Sequence, residues 1–242
     1  MNPHIFPILI LNARPAAGKS EVIDYLTHQP LPERQRRFHI GELDIIDDFP
    51  MLWTWFEEDA ILERMGHPRL HTDVDGYFKE TYLWHLLIER IGLEYGKRRR
   101  DHPDYHATTT TVIEFSRGGE HGGYAAAYDH LSPAILERGA ALYINVSFEE
   151  SLRKNRARRN PNHLDSILEH SLSDEKMRRL YGEDDWAAFT ADDPAHVHVK
   201  GIEVPYVVFE NEDDVTTPRG EALGERLATT LDQLWSRRQA QG

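Results

Sequence analysis

The 242-residue sequence predicts an α/β fold, in which a mostly parallel, five-stranded sheet lies between two layers of helices. Apolar runs rich in β-branched or aromatic residues predict the strands at 5–11, 37–45, 110–116, 141–147 and 204–210. The segments between them are long enough for the crossover helices that parallel strands require. A glycine-lysine loop follows the first run directly. We therefore expect one domain over 1–242, with ligands at the carboxyl ends of the strands.

Helices are expected where apolar residues recur at helical spacing between these strands. A helix that starts in the glycine-lysine loop should end before Pro30, because proline breaks a helix interior. Two more helices are indicated in 53–65 and 77–95, within a segment, 46–100, that is too long for a simple crossover. We interpret 46–100 as a helical insertion.

The second half of the chain carries further helical segments. Residues 124–137 predict a helix that ends before Gly139, and the segment 149–186 has charged residues at helical spacing. Four leucines share one face of an amphipathic helix over 219–238. This alternation of strands and helices supports a sheet covered on both faces.

Composition limits the classes of function. Hydrophobic residues make up 40% of the chain, and the mean hydropathy of -0.60 indicates a soluble protein. No apolar run approaches the roughly 18 residues that span a bilayer, so we expect no membrane partner. The absence of cysteine excludes disulfides and thiolate chemistry and fits a cytoplasmic location. The net charge of -13 argues against nucleic acid as the main partner, and the sequence predicts nothing about oligomeric state.

The loop after the first predicted strand carries the strongest functional signal. Gly18, Lys19 and Ser20 match the end of the phosphate-binding pattern G-x-x-x-x-G-K-[ST], while Ala13 stands where the first glycine is usual. In this pattern the backbone amides and the lysine bind phosphates, and the serine hydroxyl binds Mg²⁺. The strand before the loop and the helix after it are the context that the motif requires. We predict that ATP and Mg²⁺ bind here, on Ala13, Arg14, Pro15, Ala16, Ala17, Gly18, Lys19, Ser20 and Glu21.

This loop, with the order of strands and helices over nearly the whole chain, resembles the P-loop kinase group. That group includes nucleoside monophosphate kinases, shikimate kinase, deoxynucleoside kinases and antibiotic phosphotransferases. The resemblance implies a P-loop NTPase fold and phosphoryl transfer from MgATP. It also implies that the insertion 46–100 binds the acceptor and that 149–186 form an arginine-bearing lid. It identifies no particular acceptor.

Acidic residues end two of the predicted strands. Glu42 and Asp44 alternate along the second strand, so both carboxylates fall on one side of it. The pair is similar to the D-x-D ending of that strand in shikimate-type kinases, which makes Asp44 the candidate catalytic base. Glu114, near the end of the third strand, is similar to the acid behind Mg²⁺ in nucleotide kinases, so Glu114 and Ser20 are the candidate metal residues. Helix capping or plain exposure to solvent is the alternative for these acids.

Arginines after the third and fourth strands are candidates for stabilising the transferred phosphoryl group. Arg117 is similar to the arginine that contacts substrate phosphate in nucleotide kinases. Arg153, Arg156 and Arg159 recur every three residues, share one helical face and are predicted to converge on phosphate from the lid. A solvated basic face is the alternative. Asn211, after the fifth strand, falls in the stretch that packs against adenine in the group that the chain resembles.

These observations favour an ATP-dependent kinase that acts on a small-molecule acceptor. Few arginines lie in the central part of the insertion, which favours a hydroxyl-bearing metabolite, drug or nucleoside over a phosphorylated acceptor. A regulatory ATPase or nucleotide switch is a second hypothesis, although the chain has no N-K-x-D segment of the GTPase type. A toxin-like phosphotransferase that acts on a larger substrate is a third.

Overall fold

The structure, a computed structural model, describes residues 4–158 and 172–241. Within these ranges the sheet has six strands instead of the expected five. The strands are β1 (Ile8–Ala13), β2 (Glu42–Asp47), β3 (Thr109–Phe115), β4 (Gly139–Asn145), β5 (His196–Val199) and β6 (Ile202–Glu210). They lie in the order β2-β3-β1-β4-β6-β5, and each neighbouring pair is parallel except β5 with β6. The predicted α/β class with a mostly parallel sheet is confirmed.

Helices connect these strands and cover the sheet. In chain order they are α1 (Lys19–Thr27), α2 (Leu31–Phe38), α3 (Phe49–Arg64), α4 (Tyr82–Asp101), α5 (Gly123–His130), α6 (Pro133–Leu136), α7 (Phe148–Ala157), α8 (Asp174–Tyr181), α9 (Trp186–Phe189) and α10 (Glu221–Gln239). Helix α1 begins at the glycine-lysine loop and ends before Pro30, as predicted. In the part of the chain that the structure describes, no helix has the length and apolarity needed to cross a membrane.

The sheet packs against helices on both faces because its central strand is apolar on both sides. In β1, Ile8 and Ile10 belong to one buried core, which includes residues of α4 and α5. Leu9 and Leu11 belong to the other core, which includes residues of α1 and α10. The sheet is therefore the middle of three layers, and the carboxyl end of β1 is buried between β3 and β4.

Several element boundaries differ from the prediction, and one strand was not predicted. Residues 37 and 38 end helix α2, which opens after Pro30, so β2 begins only at Glu42. The predicted helix 124–137 is divided into α5 and α6, because Leu131 is extended and Pro133 starts the second helix. The sequence does not predict β5, whose four residues alternate His and Val on the antiparallel edge and make no clear apolar run.

Helices α3 and α4 are the two helices of the segment 46–100. The second begins at Tyr82, later than expected, because Thr72 and Phe78 form an isolated bridge in the loop before it. A buried carboxylate on α3 holds this loop: Asp59 accepts hydrogen bonds from the Thr72 backbone N–H at 2.6 Å and from its hydroxyl at 2.7 Å. Although burial opposes ionisation, these bonds and neighbouring backbone N–H donors lower the pKa of Asp59 to about 2.

Candidate active site

The glycine-lysine loop, residues 13–20, joins β1 to α1. Ala13 is a buried strand residue that pairs with β4, so the first motif position needs no glycine here. Ala16 and Gly18 have positive φ angles of 58° and 122°, which let the backbone curl ahead of the α1 N-terminus. A Cβ on Gly18 would lie 2.6 Å from the Thr216 hydroxyl oxygen, so the loop has room only for glycine at this position.

Four buried polar side chains hold the loop from behind, and we call them the rear clasp: Ser151, Lys154, Asn211 and Thr216. The Ser151 hydroxyl donates to the Pro15 carbonyl at 2.7 Å. Asn211 Nδ2 donates to the Ala17 carbonyl and to Thr216 Oγ1, both at 2.8 Å. Lys154 Nζ donates to the same hydroxyl oxygen at 2.9 Å. Side chains from α7 and from the segment after β6 therefore fix the back of the loop.

The Asn211 side chain lies behind the loop and does not face a base-binding surface. It is 0% exposed and its amide is bonded to the loop, so it cannot pack against an adenine ring. Contact between the base and the backbone of this stretch stays a prediction. The Asn211 backbone N–H donates to the Asn145 carbonyl at 2.9 Å, which continues the pairing of β6 with β4.

An open cleft of about 1160 Å³ lies in front of the loop. Lys19 Nζ donates to Ser116 Oγ at 2.7 Å and lies 3.7 Å from Glu114 Oε1. Ser20, in the first turn of α1, is exposed and lines the same cleft. The structure thus brings together Lys19, Ser20 and Glu114, the side chains that the sequence predicts for phosphate and metal binding.

Three carboxylates line the cleft near Lys19: those of Asp47 and Asp48 at the end of β2, and that of Glu114 on β3. Asp47 and Glu114 are paired across the two strands. Burial, together with repulsion from Glu114 and Asp48, raises the pKa of Asp47 to about 8. Burial also raises the pKa of Glu114, against the opposing charge of Lys19. A cation bound between these carboxylates would relieve the repulsion.

Asp44 lies outside the cleft, and its expected position at the strand end is wrong. Strand β2 continues to Asp47 because α2 occupies the residues that were expected to open the strand. The Asp44 carboxylate accepts a hydrogen bond from the Tyr105 hydroxyl and forms an ion pair with Arg98 at 3.0 Å. Asp44 therefore ties β2 to α4 and the following turn, and Asp47 occupies the position at the sheet edge.

Two of the three arginines expected on the lid, Arg153 and Arg156, do not line the cleft. Arg153 and Arg156 are 57% and 56% exposed and form ion pairs with surface acids. Arg159 lies outside the described residues. The face of α7 that turns toward the loop carries Ser151, which is bonded to the Pro15 carbonyl, and Lys154, which is bonded to Thr216.

Arg158 continues this inward face and was missed by the sequence reasoning. It lines the cleft, and its Nη2 lies 2.7 Å from Glu21 Oε1 in the first turn of α1. Its spacing from Ser151 and Lys154 is the signal that would have found it, since residues three and four apart share a helix face. Lys176 and Arg179 of α8 also line the cleft.

Two further predicted arginines have mainly structural contacts. Arg117 lines the cleft but is only 2% exposed; it forms an ion pair with Asp48 at 2.7 Å and donates to the Trp84 carbonyl at 3.2 Å. Arg14 forms an ion pair with Asp184 at 2.6 Å. Arg117 therefore holds Asp48 against the backbone of α4, and Arg14 joins the loop to the segment after α8.

The donor set fits a magnesium nucleotide. Within 4–158 and 172–241, no group of three or more His, Asp or Glu residues is arranged to hold a metal ion alone. Mg²⁺ that arrives with a nucleotide keeps water and phosphate ligands and needs only one or two protein oxygens. The exposed Ser20 hydroxyl and the Glu114 carboxylate supply such oxygens.

Comparison with known proteins found similarity among solved structures. No family model matches the chain, and no curated protein matches it. Among solved structures, the chain is similar to a gluconokinase from Sinorhizobium meliloti 1021, with 13% identity and a TM-score of 0.47 over 98% of this chain and 99% of the other.

Proposed function

We propose that this protein transfers the γ-phosphoryl group of MgATP to a hydroxyl of a small-molecule acceptor. The observation that carries the proposal is one continuous cleft, which extends from Lys19 and Ser20 to the aromatic side chains of α3. Such a cleft has room for a nucleotide on the loop and a second substrate beside it. Asp47 lines it close to the charge of Lys19 and two residues before Phe49, the first residue of α3.

Asp47 takes the role of general base that the sequence suggested for Asp44. Its carboxylate accepts the proton of the acceptor hydroxyl while the acceptor oxygen forms a bond to the γ-phosphorus. The bond from the γ-phosphorus to the bridging oxygen breaks, and the nucleoside diphosphate leaves with that electron pair. A general base must lie within reach of the proton that it accepts, and Asp47 lines the cleft in front of the loop.

The remaining charges stabilise the transferred group. Lys19 holds the β- and γ-phosphates, and Ser20 and Glu114 would hold Mg²⁺. The bound ion would supply positive charge that offsets the charge of the phosphates. Arg158, which reaches the cleft beside α1, takes the part expected of Arg153 and Arg156 and stabilises negative charge on the γ-phosphoryl oxygens.

Calorimetric titration tests the nucleotide site. We expect ATP to bind the wild-type protein only weakly without Mg²⁺ and more tightly with it, and we expect Lys19→Ala to abolish binding at concentrations that saturate the wild type. Lys97→Ala is the matched control, because Lys97 is a surface lysine paired with Glu94 and does not line the cleft. No binding of ATP or GTP to the wild type would reject the proposal.

A transfer assay separates a kinase from a nucleotide switch. Candidate acceptors are screened for phosphate incorporation from γ-labelled ATP, and Arg158→Ala is expected to slow transfer by about 10² to 10³ while leaving ATP affinity within a few fold. Steady ATP hydrolysis that no acceptor changes would instead favour the regulatory ATPase. The same labelled ATP with larger substrates tests the phosphotransferase of the toxin-like type.

A further inference from the structure

One wall of the cleft is aromatic, and this follows from the phase of α3. Phe49, Leu52, Trp53 and Phe56 stand at positions i, i+3, i+4 and i+7 and line the cleft; we call them the aromatic wall. Trp55, one residue away, belongs to a separate buried cluster with residues of α4. The wall residues are half-buried in the structure, so they keep apolar surface toward the cleft.

Basic side chains of α8 line the same cleft. The Arg179 guanidinium stacks on the Tyr77 ring, 3.9 Å from its centroid, and forms an ion pair with Glu120 at 2.9 Å. Lys176 Nζ lies 5.0 Å from the same ring and donates to the Gly76 carbonyl at 3.2 Å. These contacts join α8 to the loop before α4, next to Phe56 of the aromatic wall.

The side chains of the aromatic wall favour binding of one class of molecule. The wall's only hydrogen-bonding side-chain group is the indole N–H of Trp53, so the hydroxyl groups of an open-chain polyol would lose their water against it without replacement. A flat ring would remove the same apolar surface from water and gain stacking contacts with the rings of Phe49, Trp53 or Phe56. Asp47, just before the wall in the chain, would meet a hydroxyl of the molecule that carries this ring.

We propose that the acceptor is a flat aromatic molecule that carries a hydroxyl group, and that its ring stacks on the aromatic wall with the hydroxyl toward Asp47. This inference rests on the proposed function, because it names the acceptor of the same site. A nucleoside and a benzenoid alcohol both have this chemistry, and open-chain polyols lack it.

The test measures binding separately from transfer. The protein is first saturated with a non-hydrolysable ATP analogue and Mg²⁺, so that the probes cannot occupy the nucleotide site. Thymidine, 4-hydroxybenzyl alcohol, ribitol and glycerol are then titrated, with saturation-transfer NMR to identify the protons in contact. We expect one of the two aromatic classes to bind, with its ring protons saturated most, and the two polyols to bind far more weakly.

Three variants locate the bound ring. Trp53→Ala is expected to weaken the aromatic probe about tenfold or more, and Trp53→Phe, which keeps a ring, should retain most of the affinity. Tyr82→Ala removes an exposed ring that does not line the cleft and should change nothing. Equal melting temperatures of the variants would exclude a loss of folding as the cause.

The outcomes distinguish the two proposals. Binding of an aromatic probe that depends on Trp53, followed by transfer of labelled phosphate to it, supports both. Such binding without transfer keeps the aromatic site and rejects the kinase. The aromatic acceptor is overturned if neither aromatic probe binds, or if aromatic binding is unchanged in Trp53→Ala. Transfer of phosphate to a polyol also overturns the aromatic acceptor, but it leaves the proposed kinase activity intact.

Discussion

The back and the front of the glycine-lysine loop differ in how their polar groups are satisfied. At the back, the carbonyls of Pro15 and Ala17 each accept a hydrogen bond from a buried side chain of the rear clasp. At the front, Asp47 and Glu114 face each other across two strands, and burial together with like charge raises both pKa values. The aromatic wall beside them keeps apolar surface toward the cleft.

This difference separates stability from function. Buried, paired polar groups at the back lower the free energy of the folded loop and fix its shape. Crowded carboxylates at the front raise the free energy of the protein without ligands, and bound ligands would lower it again. We therefore expect substitutions at the back to cost stability and substitutions at the front to cost activity.

The largest stability effect is expected for Gly18→Ala. The new Cβ would lie 2.6 Å from the Thr216 hydroxyl oxygen, at a φ angle of 122° that other residues rarely adopt. We expect the free energy of unfolding in urea to fall by about 3 kcal/mol. Gly96→Ala is the control, since a Cβ there meets open space within α4, and it should stabilise by up to about 1 kcal/mol. If Gly18→Ala changed the free energy of unfolding no more than Gly96→Ala does, the rear clasp would be able to shift and accommodate the new Cβ.

Asn211→Ala tests the hydrogen bonds of the rear clasp. It leaves the buried Ala17 carbonyl and Thr216 hydroxyl without the Asn211 donor, so we expect a loss of about 2 kcal/mol of unfolding free energy. Asn145→Ala removes an exposed bond to Glu210 and should cost less than about 0.5 kcal/mol. If the two variants lost the same free energy of unfolding, the hydrogen bonds of the rear clasp would contribute no more to stability than an exposed bond does.

Asp47→Asn tests the front, through the pH dependence of stability without nucleotide. A carboxyl whose pKa is raised to about 8 in the folded state binds its proton more tightly there than in the unfolded chain. The tighter proton binding adds to the free energy of unfolding below about pH 4, and this contribution is lost as the pH rises to about 8. Since Asp47 is only partly buried, we expect the asparagine variant to be more stable at pH 8 by on the order of 1 kcal/mol, and to match the wild type near pH 4.

The urea midpoints of the two proteins at several pH values give this comparison. Asparagine can still accept the hydrogen bond that Asp47 receives from the Phe49 backbone N–H at 3.0 Å, so the substitution changes mainly the charge. A wild-type protein that is more stable than the variant at pH 8 would show that the carboxylate is not crowded.

The loop and its neighbours were predictable from the sequence to different degrees. Gly18, Lys19 and Ser20 form a contiguous motif, so their local order alone indicates where they lie. Asp47 can be placed at the sheet edge only if the bounds of β2 are known. The basic and aromatic residues at 36–39 do not show in the sequence that α2 ends there. An error of a few residues in a strand start was enough to choose Asp44.

Arg153 and Arg156 were assigned to the cleft for a related reason. Their spacing places them on one face of α7, but spacing alone does not show which face of the helix turns inward. That choice depends on contacts far away in the chain, such as the bond between Ser151 and Pro15. Asn211 likewise required the tertiary structure, because its partners Ala17 and Thr216 come from different segments.

Arg156→Ala is the smallest expected effect and the sharpest test of which face of α7 is used. Arg156 is more than half exposed and forms its ion pair with Asp174 at the surface, outside the cleft. Because exposed ion pairs contribute little, we expect unfolding free energy to change by less than about 0.5 kcal/mol and ATP affinity and transfer rate to stay at wild-type values. Arg158→Ala, two residues along, is expected to lose transfer. If the transfer rate fell in Arg156→Ala and stayed at the wild-type value in Arg158→Ala, the catalytic role would belong to the outer face of α7 that the sequence spacing suggested.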